Sequence, residues 1–168
     1  MSARVLVAGI GNIFFGDDGF GVEVANRLTG QTVAPGVRVA DFGIQGLHLA
    51  YELLEGYDVL VLVDAVPMGE APGTLAVIEP DLSVFASGDG DPQQSVVDAH
   101  SMNPSVVLAT LASLGGRVER VVVVGCEPGT TEGIGLSDAV SAAVDPAVDL
   151  CHRVLEDLSQ ISGRETTA

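Results

Sequence analysis

The segment Asp58–Val63, DVLVLV, constrains the fold of this chain more than any other. Five successive apolar residues follow its aspartate and leave no polar face. Such a run suits a strand covered on both sides, as in a parallel sheet between helices. Asp64 then ends it. Arg4–Ala8 is a similar β-branched run and enters Gly9-Ile10-Gly11-Asn12. Val37–Ala40 is a third, closed by Asp41. Between these runs, Phe20–Leu28 reads as a helix with Gly30 just past its end. Leu47–Leu54 reads as a short helix stopped near Gly56. Strand, helix, strand, helix, strand is the βαβαβ pattern of a doubly wound sheet.

The second half extends the pattern. Gly73–Ile78 is a fourth strand, and the Asp-, Gly- and Ser-rich stretch 79–99 is a long loop. Asn103-Pro104 supplies an N-cap and first turn for a helix through Leu114. Val121–Val124 is a fifth strand, followed by a glycine-rich loop over Glu127–Leu136. Ser137 can cap a last helix, which Asp145-Pro146 interrupts or restarts. Val140, Val144, Ala147, Cys151, Val154, Leu155 and Leu158 form its apolar stripe. The expected fold is α/β: three layers, with about five strands in a twisted, mostly parallel sheet between helices. The chain reads as a single domain over 1–168, with an ordered core of about 4–158 and a flexible tail over 159–168.

Charge narrows the partners. Asp and Glu total 23 against 7 Lys plus Arg, for a net charge of −16. A phosphate backbone or an anionic membrane calls for cations, so neither nucleic acid nor membrane is expected. No stretch approaches the ~18 apolar residues of a membrane span. Cys126 and Cys151 form no CxxC or zinc pattern and read as buried thiols. A cytoplasmic, acidic monomer is the simplest expectation.

Three polar punctuations carry the chemistry. The first loop, Gly9 to Gly21, resembles a dinucleotide fingerprint only superficially. Its glycines have the wrong spacing, and Asp17-Asp18 would repel a phosphate. Acids near a helix start need no further role on their own. Asp64 is different, because a carboxylate directly after an apolar strand is costly to desolvate without a partner. With strand order 2-1-3, Asp18 and Asp64 open onto the same crevice at the strands' carboxyl ends. His100 follows the long loop and precedes a helix, from where it could reach over that crevice. Two carboxylates and one imidazole suit nickel, zinc or iron. No H-E-x-x-H or G-x-S-x-G is present, so a zincin and a serine-hydrolase elbow are excluded. His48 and His152 lie in helical segments and read as surface or packing residues.

These residues in this order closely resemble the hydrogenase maturation endopeptidases. The resemblance is carried by Gly9-Ile10-Gly11-Asn12 through Asp17-Asp18-Gly19-Phe20-Gly21, Asp41 before a Gly-x-x-Gly turn, Val63-Asp64-Ala65, and His100 ahead of a helix. It runs from about residue 4 to residue 158. It implies a cytoplasmic protease that clips a C-terminal extension from a nickel–iron hydrogenase large-subunit precursor after nickel insertion. By the resemblance, Asp18, Asp64 and His100 contact nickel, with Asn12, Asp17 and Asp41 in support. The nickel arrives with the substrate, so the resting enzyme is expected to be metal-free. Some relatives carry Glu where this chain has Asp18, and many have Gly-Gly-Thr where it has Phe42–Gly46. The residues also allow a non-catalytic nickel-handling or docking module. A Rossmann-like enzyme for phosphorylated substrates is disfavoured by the charge.

Overall fold

The computed structural model of the protein describes residues 3–80, 82 and 104–165. The strands are β1 (Val5–Ile10), β2 (Val37–Gly43), β3 (Val59–Ala65), β4 (Leu75–Ile78) and β5 (Arg120–Cys126). The helices are α1 (Phe20–Thr29), α2 (Gly46–Leu53), α3 (Pro104–Ser113) and α4 (Asp138–Glu165), and a 3-10 turn over Gly16–Gly19 leads into α1. The sheet order is β2-β1-β3-β5-β4. Its β2, β1, β3 and β5 run parallel, whereas β4 pairs antiparallel with β5. The expected 2-1-3 order therefore holds, and the third strand is followed by β5 rather than β4.

Alternation explains the layers. Along β1 and β3, Val5, Val7, Val59, Val61 and Val63 point to one face. There they meet Phe20, Val24 and Leu28 of α1 and Val144, Ala147 and Cys151 of α4. Leu6, Ala8, Ile10, Leu60 and Leu62 point to the other face and pack on α2 and α3. All six β1 residues are buried, so both faces of this central strand are covered. Burying each Val or Leu side chain is worth roughly 1.5–3 kcal/mol, and this drives the three-layer arrangement.

The last helix departs from expectation. It runs unbroken through Pro146 and continues to Glu165, into the segment read from sequence as tail. A proline inside a helix forfeits one backbone hydrogen bond. Here Ala143, Val144, Ala147, Val148, Cys151, Val154 and Leu158 are all buried against the sheet, and that packing outweighs the local penalty.

The glycines of the first loop are packing devices. A Cβ on Gly21 would lie 2.0 Å from the Val63 carbonyl oxygen and 2.5 Å from that of Ile10. A Cβ on Gly9 would lie 2.2 Å from the Gly21 oxygen. Helix α1 thus rests directly on β1 and β3, a closeness only glycine permits. No phosphate is needed to explain this sequence.

Candidate active site

Gly11 leaves β1 with φ +133°, a conformation L side chains rarely adopt. The chain turns there and returns through the 3-10 turn, bringing Asp18 back toward β1. The Asn12 backbone N–H donates to Asp18 Oδ2 at 2.7 Å. Asn12 Oδ1 accepts from the Phe14 N–H at 2.9 Å, so its side chain shapes its own turn. Asn12 supports Asp18 through its backbone.

Asp17 points the other way and is fully buried. Its Oδ1 accepts from Ser137 N at 2.6 Å. Its Oδ2 accepts from Gly129 N at 2.7 Å, Thr130 N at 2.9 Å and Ser137 Oγ at 2.8 Å. Burial alone would raise this carboxyl, but the Ser137, Thr130 and Gly129 amides and the Ser137 hydroxyl hold it below 3.8. Asp17 is therefore the clasp between the first loop and the glycine-rich loop before α4. Ser137, expected only as a helix cap, is half of that clasp.

Asp64 sits inside β3, one residue before its end, opposite Gly125 of β5. Its carboxyl is pushed up to about 8, chiefly by burial and further by the charge of Asp18, against a smaller opposing pull from the Ala65 amide. Asp18 and Asp64 are thus brought into electrostatic contact, as the crevice argument expects. Among the described residues, no Arg or His pairs with either. Nor do three His, Cys, Asp or Glu side chains group as a metal-ligand set among them. His100 lies outside the described residues.

Asp41 is exposed near the carboxyl end of β2, opposite Gly9 and just before an irregularity that pairs Ile10 with Gly43. It lines an open cleft of ≈ 280 Å³ with Asn12, Ile13, Phe14, Phe42 and Ile44. Both cysteines are free and buried. Burial pushes the Cys126 thiol up to about 11, with a further contribution from Asp17, and the Cys151 thiol up to about 12. Neither is a nucleophile near neutral pH. Exposed His48 lies in α2, and His152 Nε2 is 2.7 Å from Gln31 Oε1.

Residues 22–154 match the family model of the hydrogenase maturation proteases. The chain belongs to this family. It is 36% identical over 149 residues to the hydrogenase expression/formation protein HupD of Rhodobacter capsulatus, covering 86% of this chain and 68% of that one. The solved structure of the hydrogenase maturating endopeptidase HybD from E. coli superposes with a TM-score of 0.72 at 28% identity, over 92% of this chain and 93% of that one. The [NiFe] hydrogenase maturation protease HycI from Thermococcus kodakarensis superposes at 0.70 with 26% identity, over 92% and 93%.

This maturation protease thus carries its two described acids on elements fixed by the core. Sequence reading found both acids but missed what holds the surrounding loops. Buried Glu127 is one such group. Its Oε2 accepts from the Met68 N–H, tying down the loop that follows Asp64. The Gly73 N–H donates to the Glu127 carbonyl at 2.9 Å, closing the same loop farther along. A lone glutamate after a strand carries no sequence signal for this role.

Proposed function

We propose that this maturation protease removes a C-terminal extension from a nickel–iron hydrogenase large-subunit precursor after nickel insertion, and that it recognises the nickel carried by that substrate. Asp18 and Asp64 would hold the ion. His100 would be the third ligand, on the strength of its place in the sequence. The observation that carries the reading is the half-buried Asp64 carboxyl, raised to about 8 beside Asp18 with no cationic partner among the described residues. Such an acid pair favours a cation.

The chemistry follows from the chain's own groups. Near neutral pH Asp64 holds a proton. A docking cation would favour its ionised form and release that proton. Bound nickel would polarise the scissile carbonyl or a water. A carboxylate oxygen of the pair left free by the ion would accept a proton from the attacking water. The resting protease would be metal-free and complete its site only with the correct precursor. Free thiols at Cys126 and Cys151 suit the cytoplasm, where we place this reaction.

The test is incubation of the purified chain with a large-subunit precursor, with and without nickel, read by intact mass. The expected result is a shortened large subunit only in the nickel-loaded sample. Equal cutting without nickel would contradict the metal's role. Tight binding without cutting would make the chain a docking module.

A further inference from the structure

Two of the chain's five phenylalanines, Phe14 and Phe15, are 64% and 54% exposed. They stand in the same loop as Asp18, and neither the acid pair nor the core accounts for them. Ile13, Ile44 and Ile134 are also at least half exposed. Backbone bonds draw these residues together from three separate loops. Gly11 N–H donates to Gly43 O at 2.9 Å, which sets Ile44 beside the first loop. Gly16 N–H donates to Gly133 O at 2.7 Å, which sets Ile134 beside Phe15. The result is an apolar rim around one end of the sheet. Large exposed apolar patches on a single chain mark interaction sites.

Charge selects the occupant. Exposed Asp41 and Glu132 flank the rim, and among the described residues no Arg lines the cleft that it borders. The whole chain has 23 acids against 7 arginines and no lysine. We infer that this rim docks the hydrogenase precursor through an apolar segment set in a basic surface of that protein. The inference rests on the proposed function and adds to it the chemistry of the segment recognised.

The test is binding of the full-length chain to immobilised precursor, compared with Phe14→Ser/Phe15→Ser, Ile134→Ser and the remote control Val77→Ser on edge strand β4. Both rim variants are expected to weaken Kd by ~tenfold or more. The control should bind like the parent, and all four proteins should melt alike. Parental binding should weaken as salt is raised. Unchanged Kd in both rim variants would overturn the inference, and salt-independent binding would overturn its charge argument. Concentration-dependent self-association of the parent, abolished in the double variant, would make a second copy the occupant and overturn it too. A parent that binds the precursor through this rim but leaves it uncut would sink the proposed function while the docking surface stood.

Discussion

Asp17 turns its carboxylate onto four donors, while Asp18, next in the chain, accepts one from Asn12 and bears on Asp64. Replacing Asp17 by Asn removes an anionic acceptor from a buried cluster and should cost about 3 kcal/mol at neutral pH. Because its folded value lies below 3.8, the Asp17 contribution is present above that pH and is lost as pH falls through the folded value. Urea unfolding should therefore show the gap between parent and Asp17→Asn closing in acid. Asp64 has the opposite sign. Its value rises from 3.8 to about 8 on folding, so its cost is absent below 3.8, grows as pH climbs from there to about 8, and is fully present above that. Asp64→Asn should melt a few degrees higher than the parent at about pH 9 and like it at about pH 4, read by calorimetry. Sequence marks the adjacent acids but not which one turns inward. The donors at 129, 130 and 137 lie more than a hundred residues away in a loop whose composition says only that it bends.

Helix α1 shows why the first loop is so rich in glycine. Gly21→Ala would drive a methyl into the carbonyls of Val63 and Ile10. The helix would have to lift from β1 and β3, taking Asp18 with it. A loss of about 3 kcal/mol or more is expected from urea unfolding. Strands β1, β3 and β5 were legible because burial on both faces forces an apolar run. The direction of β4 was not, since Leu75–Ile78 is short and its last two residues are exposed, so its pattern is the same read either way. Pro146 misled for a related reason. Local propensity marks a break, whereas the buried stripe on either side is what decides.

At the scale of the whole molecule, the sheet holds Asp18 and Asp64 at its carboxyl edge while α1 and α4 cover one face and α2 and α3 the other. The order of the first three strands, and hence the meeting of the two acids, could be read from three hydrophobic runs. The rim of Phe14, Phe15 and Ile134 could not, because exposure depends on which loops the fold brings together. The buried thiols predict that iodoacetamide near neutral pH leaves the folded protein unlabelled and its cleavage rate unchanged. The central claim is that Asp18 and Asp64 jointly grip an ion delivered by the substrate. Its most direct measurement is the rate at which Asp18→Asn and Asp64→Asn process a nickel-loaded precursor, with folding checked by circular dichroism. Both variants should fold normally and cut ~100-fold more slowly or worse. Parental rates in either would contradict the account.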